Sequence, residues 1–294
     1  MSRLHVLPCL DSKQMAAARR KELDILYDAA AALGRSAVEA VDVGFYVTEN
    51  RQRVVLRDSV RDACAAKLSI RGNAVLRENK QTAFSETTIQ VTNETTLGAS
   101  RRLVESGSCP LALNFANGIH PGGGFLDGAR AQEEVLCRSS ALYQTLVGDP
   151  MYQDHRKRGQ ADSTDWVIYS PQVPVFRRDN GTELQQPWLL NFITCAAPFA
   201  PDIGQPKAGD LLHKRIHRIL SVARAYEHAV LVLGAWGCGA FGNDPDRTAK
   251  DFRHALEEDF PGVFSDIVFA ITDWSPERRF LGPFRDAFAA IRNS

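Results

Sequence analysis

From residue 111 onward the chain alternates short apolar runs with amphipathic ones, and this rhythm constrains the fold more than any other feature. "LALNFAN" (111–117), "WLLNFITCAAP" (188–198), "AVLVLG" (229–234) and "DIVFAI" (266–271) are continuous apolar runs of strand length, the pattern of strands covered on both faces. Between and after them come segments of helical period: "QEEVLCRSSALYQTL" (132–146), "AGDLLHKRIHRILSVARAYEHA" (208–229), "PDRTAKDFRHALEEDF" (245–260) and "PFRDAFAAIRNS" (283–294). In the second of these, Leu212, Ile216, Ile219 and Ala223 share one side, the stripe a helix buries against a sheet. Strands interleaved with helices predict an α/β fold of three layers, a central sheet flanked by helices.

The first part of the chain has a different character. Residues 14–33 are rich in helix formers with apolar positions at three- and four-residue steps, which predicts one helix. The run 40–56 alternates around a polar turn and reads as a hairpin or two short strands, and "TTIQVTNETTL" (87–97) has the same character. We expect residues 1–80 to form an accessory extension packed on a core of residues 81–294. Asn180-Gly181, between two strand-like runs, marks a turn.

Composition removes several classes of function. Lys plus Arg equals Asp plus Glu, 35 of each, so no overall field draws the chain to nucleic acid or an anionic membrane. No apolar run approaches the roughly 20 residues a membrane span needs, and the N-terminus lacks the pattern of a secretory signal, so a cytoplasmic location is expected. Six scattered cysteines without a C-x-x-C pair suit a reducing compartment rather than disulfides or zinc. His213 and His217 have metal-compatible helical spacing but no third ligand nearby, so they read as an exposed helix face and no metal is expected. Without heptads, the chain is expected to be a monomer.

Ligands of such sheets gather at the carboxyl ends of strands, and two glycine-rich loops fall there. One, "PGGGF", follows "LALNFAN" and offers Gly122, Gly123 and Gly124; the other, "GCGAFG", follows "AVLVLGAW" and offers Gly237, Gly239 and Gly242. Glycines leave backbone N–H groups unobstructed, so such loops either cradle phosphate or serve as plain turns. Neither matches a P-loop or the dinucleotide fingerprint. Glu133 and Glu134 are adjacent, so on a helix they diverge by about 100° and cannot flank one bond as an ordinary glycosidase pair does. They are either favourable first-turn charges or chemical groups, and the residues alone leave both open.

The segment "GGGFLDGARAQEE", three glycines, seven residues and then Gln132, Glu133 and Glu134, resembles the GGG-x(6–8)-QEE motif of bacterial-type poly(ADP-ribose) glycohydrolases. "LNFANGIHPGGG", "NFITCAAP" and "LGAWGCGAFGNDP" are similar to further family segments, so the resemblance covers about residues 80–275. It implies a macrodomain-like fold that hydrolyses ribose–ribose O-glycosidic bonds of poly(ADP-ribose), acting from the free end and releasing ADP-ribose without a cofactor. Poly(ADP-ribose) or an ADP-ribosylated protein is then the partner, with no direct nucleic-acid or membrane binding. Carried over by position, Glu134 is the catalytic acid/base, Glu133 holds a ribose hydroxyl, Gln132 orders the segment and Asn117 contacts the distal ribose. Gly122, Gly123 and Gly124 with the run Gly237, Cys238, Gly239, Ala240 and Phe241 wrap the diphosphate, Phe241 packing on the ligand or in the core. The glycine loops serve equally a macrodomain that binds ADP-ribose without cutting, or a hydrolase of another ADP-ribose linkage. Cys137 has no evident base partner and is not expected to be a nucleophile.

Overall fold

The computed structural model describes residues 4–77 and 83–289. It begins with β1 (Leu4–Val6), α1 (Lys13–Leu23) and α2 (Tyr27–Val43). The single helix expected over 14–33 is therefore two. The break at 24–26 is held open by Arg130, which donates from Nη1 to Asp24 Oδ1 at 2.9 Å and to the Ile25 carbonyl at 2.6 Å. β2 (Phe45–Val47) and β3 (Arg53–Val55) form the expected antiparallel hairpin, although residues 40–43 finish α2 instead of joining it.

Then follow α3 (Arg57–Ala66), β4 (Leu68–Ile70), β5 (Thr87–Thr92), α4 (Thr96–Glu105) and β6 (Leu111–Ala116). The expected helix over 132–146 is divided into α5 (Gln132–Ser139) and α6 (Leu142–Leu146). Ser140 causes the division: it bridges to Val175 while its hydroxyl donates to the Leu136 carbonyl at 2.7 Å. The chain continues with α7 (Pro150–Arg158), β7 (Val167–Arg177), β8 (Glu183–Ala196), α8 (Ala200–Ile203) and α9 (Lys207–Ala225). It ends with β9 (Val230–Leu233), α10 (Pro245–His254), β10 (Asp266–Ala270) and α11 (Leu281–Ala287).

These elements form two compact units that alternate along the sequence, so the boundary expected near residue 80 is not where the chain divides. The first unit takes the described residues up to 20, those between 73 and 113, and those from 197 on. Its strands run parallel in the order β1-β5-β10-β9, with β9 pairing the start of β6 through Leu111↔Leu231 and Ala112↔Val232. The N-terminus belongs here because β1 pairs β5 and the Leu10 N–H donates to the Val91 carbonyl at 2.9 Å. The tail is part of the core, since Phe269 stacks against Phe284 and Phe288 at centroid distances of 5.3 and 4.7 Å. His213 and His217 are half-buried beside Asp251 and Asp259 rather than on an open face.

The second unit comprises residues 21–72 and 114–196. The end of β6 runs beside β8, which forms an antiparallel hairpin with β7 through the Asn180-Gly181 turn, and β4 pairs the outer side of β7. α2 packs on α5, burying Ala30, Ala31, Gly34, Ala37 and Ala40, small residues that let two helices approach closely. Parallel strands in one unit, antiparallel strands in the other and helices on both give the mixed α/β class read from the sequence.

Candidate active site

Glu133 and Glu134 open α5, yet they are only 3% and 8% exposed. First-turn carboxylates that serve only the helix dipole stay in water, whereas buried ones need donors. β6 supplies the first donors. The Phe115 N–H donates to Gln132 Oε1 at 2.9 Å, tying the start of α5 to β6. Asn114 Nδ2 donates to Glu133 Oε1 at 3.2 Å and to Thr194 Oγ1 at 3.3 Å. The Asn117 N–H donates to Glu133 Oε2 at 2.7 Å, and the Gly122 N–H also serves this carboxyl. Burial, with Glu134 alongside, pushes the Glu133 carboxyl up to about 8 against the opposing pull of these donors.

Glu134 is held differently. Its Oε1 accepts from the Gly124 N–H at 3.0 Å, while its Oε2 is buried and has no hydrogen-bond partner among the described residues. The two adjacent glutamates thus differ, one tied at both oxygens and the other with one oxygen uncommitted. Cys137, one turn further on, is buried, and burial beside both glutamates raises its thiol well above the ordinary value.

The first glycine loop turns its N–H groups inward. Gly122 serves Glu133, Gly123 donates to the His120 carbonyl at 3.0 Å, and Gly124 serves Glu134, so these amides are engaged rather than open to a phosphate. What requires glycine is space and handedness. Gly122 and Gly123 have φ of +75° and +59°, and a Cβ on Gly123 would collide with Glu134 Oε1. Asn117 uses its side-chain oxygen within the loop, accepting from the Ile119 and His120 N–H groups at 2.9 Å each, and its Nδ2 takes no part in these bonds. α7 clamps the same loop: His155 Nδ1 lies 2.8 Å from the Gly118 carbonyl oxygen and Arg156 Nη1 donates to the Ile119 carbonyl at 2.6 Å.

The second glycine loop has the opposite character. The N–H groups of Gly239, Ala240 and Phe241 donate to nothing among the described residues, and Gly239 and Ala240 are exposed. Asn243, 2% exposed, shapes this turn by donating from Nδ2 to the Pro198 carbonyl at 2.9 Å and the Gly237 carbonyl at 3.1 Å. Phe241 is half-exposed and meets Phe199 edge-on at 5.7 Å. The Cys238 thiol is buried, donates to the Trp236 carbonyl at 3.5 Å and is pushed up to about 12 by burial, so its side chain belongs to the scaffold.

Sequence reasoning did not select Asn114, His155, Asn243 or Phe199. The one available signal was at Asn114, a polar residue within an apolar strand, a placement that demands partners. Among the described residues, no group of three or more His, Cys, Asp or Glu side chains could hold a metal, and no helix is long and apolar enough to cross a membrane.

At the start of α5, beside the end of β6, the chain thus buries two adjacent carboxyls, one held at both oxygens and one with an oxygen uncommitted. Residues 34–178 match the family model described as microbial-type PARG, catalytic domain. A poly(ADP-ribose) glycohydrolase from Thermomonospora curvata is 38% identical and superposes with a TM-score of 0.84, over 88% of this chain and 99% of that one. The same enzyme bound to the inhibitor ADP-HPD gives 39% identity and 0.81 over the same shares. The Deinococcus radiodurans enzyme in complex with ADP-ribose gives 40% and 0.70 over 78% of this chain and 96% of that one. No curated protein matches the chain significantly. The chain belongs to the microbial-type poly(ADP-ribose) glycohydrolases, as its QEE segment suggested, and is a glycosidase.

Proposed function

We propose that the chain hydrolyses the ribose–ribose O-glycosidic bonds of poly(ADP-ribose), with Glu134 as the general acid/base. The observation that carries the assignment is the asymmetry of the pair: Glu134 Oε2 is buried and uncommitted, whereas both oxygens of Glu133 are held by Asn114, Asn117 and Gly122. A proton must reach an oxygen that is free to donate it, and an adjacent carboxyl fixed at both ends sets the geometry. Glu134 protonates the departing ribose oxygen as the anomeric carbon becomes oxocarbenium-like, then takes a proton from the attacking water. Glu133 meets a ribose hydroxyl with its remaining lone pairs, and Asn117 Nδ2 contacts the distal ribose.

The open amides of Gly239, Ala240 and Phe241 suit a diphosphate, and the Phe199–Phe241 pair suits a sugar or base face. The Thermomonospora enzyme is bound to the inhibitor ADP-HPD and the Deinococcus enzyme is in complex with ADP-ribose, which supports the same ligand class here. Release proceeds from the free end of the polymer, a reading that rests on the resemblance to the bacterial type. The cysteines are free, in keeping with a reducing cytoplasm.

The test compares wild type with Glu134→Gln for ADP-ribose release from poly(ADP-ribosyl)ated protein, with ADP-ribose binding followed by calorimetry. The expected result is retained binding and a rate lower by ~10²–10⁴-fold, the usual weight of a general acid/base. Wild type that binds ADP-ribose yet releases none from the polymer would favour a reader or a hydrolase of another linkage.

A further inference from the structure

We propose that Arg138 is the charge partner of Glu134, a buried positioning residue that steadies the carboxylate left when Glu134 gives up its proton. Arg138 is completely buried, and its Nε, Nη1 and Nη2 have no hydrogen-bond partner among the described residues. That is an unusual state for a guanidinium, whose five donors normally find acceptors when water is removed. Packing does not explain it. An apolar side chain of the same length would fill the space without desolvating a charge, and such replacements of buried charges are often neutral or stabilising.

Position does explain it. Arg138 lies four residues beyond Glu134 on α5, so both side chains occupy one face of the helix. Its electrostatic partners are Asp179, in the turn after β7, and Glu134, with Arg130 opposing; burial draws its pKa below the ordinary value. In a low-dielectric interior such attraction acts beyond hydrogen-bond range. The surrounding charges are otherwise engaged. Arg177 of β7 lies 3.4 Å from Glu183 and donates to the Leu33 carbonyl, Arg130 pairs Asp24, and Arg35 of α2 reaches the Leu126 carbonyl. Glu133 also lies on α5, Asp127 in the turn before it, and Tyr152 of α7, whose phenol burial pushes well above its ordinary value, stays unionised.

This inference rests on the acid/base reading of Glu134. In the first step the O–H bond of Glu134 breaks, the proton passes to the leaving ribose oxygen, and the bond from that oxygen to the anomeric carbon breaks. A carboxylate remains, which the guanidinium stabilises until the attacking water returns a proton. The guanidinium therefore lies on the same helix face as the charge that forms on Glu134, and its removal withdraws that support.

The test follows the Glu134 carboxyl directly by ¹³C NMR of glutamate-labelled protein, with Glu134→Gln assigning the resonance, in wild type, Arg138→Met and Arg138→Lys. The expected result is a midpoint at least ~0.5 pH unit higher in Arg138→Met and close to wild type in Arg138→Lys, in the direction set by losing a nearby opposite charge. The pH profile of kcat should move the same way while KM stays within about threefold, the pattern of an interaction made in the transition state. Thermal midpoints identify misfolded protein, and Arg138→Gln serves in place of the Met variant if that one does not fold. A folded charge-removed variant whose Glu134 midpoint is unmoved would overturn the proposal. Because the NMR titration needs no turnover, wild type that failed to cleave the polymer would refute the proposed function without deciding this point.

Discussion

Gly123→Ala perturbs the site at its tightest place. Gly123 has φ of +59°, a conformation that costs an L-residue roughly 1–2 kcal/mol. The new Cβ would also meet Glu134 Oε1 and lie 3.1 Å from Glu133 Oε2, whereas ordinary contact begins at 3.4 Å. The Glu134 carboxylate must retreat by about 1 Å, a misplacement on the scale that costs ~100-fold in rate. Its retreat also breaks the 3.0 Å bond from Gly124 N–H, a charged hydrogen bond worth about 1.5–3 kcal/mol. The sum, about 2.5–5 kcal/mol, corresponds to a thermal midpoint lower by roughly 5–20 °C in a large chain. Gly122→Ala is the control. Its φ is +75°, but its Cβ would meet the rings of Phe125 at 2.9 Å and Tyr143 at 3.1 Å, not the glutamates. Differential scanning fluorimetry and the ADP-ribose release assay should show both variants destabilised but only Gly123→Ala slowed by ~100-fold, Gly122→Ala losing less than about tenfold. Equal rate losses, or a Gly123→Ala enzyme within threefold of wild type, would refute the claim that the glycine exists to seat the glutamate.

Glu133→Gln should alter the pH dependence of stability. The folded carboxyl sits at about 8 against an ordinary 4.5, so the folded state holds a proton that the unfolded state releases between these values. Stability therefore falls from this group as pH rises from about 4.5 to 8, and the neutral amide should flatten that part of a urea-midpoint curve. A wild-type curve with no such decline beyond that of the Gln variant would contradict the raised value. Asn243→Ala removes the donor to the Pro198 and Gly237 carbonyls and should weaken ADP-ribose binding by about tenfold, roughly 1.4 kcal/mol, in calorimetry with kcat nearly unchanged. Asn114→Ala removes a buried donor to Glu133 and should lower stability by about 1–3 kcal/mol in urea unfolding.

Much of the architecture was readable because local pattern and tertiary fold agree. The four buried strands from Leu111 on, the α9 stripe and the Asn180-Gly181 turn lie where apolar period and turn chemistry place them. The divergences have tertiary causes. The helix break at 24–26 is stabilised by Arg130, more than a hundred residues away, and α5 stops at Ser140 because that residue bridges β7. The glycine run showed that something approaches the backbone closely, but not what. The close partners are the two glutamates: of the N–H groups expected to face a phosphate, those of Gly122 and Gly124 face carboxyls and that of Gly123 faces the His120 carbonyl.

The same physics separates two residues that sequence presents as equals. Adjacent glutamates at a helix start receive the same dipole and the same local propensity, so no local rule distinguishes them. The distinction comes from what lies opposite. The end of β6 offers the Asn114 amide and the Asn117 N–H to Glu133, while Glu134, turned by about 100°, meets only the Gly124 N–H. A carboxyl with donors at both oxygens is fixed in place, and one with a single donor keeps an oxygen for proton transfer. Strand, loop and helix thus have to be in register before the chemistry is assigned, which is why Gln132 matters although it performs no chemistry. By binding the Phe115 N–H it sets the rotation of α5 against β6, and a shift of one residue there would move one carboxyl into the other's place and leave its own place to Gln132 or Val135.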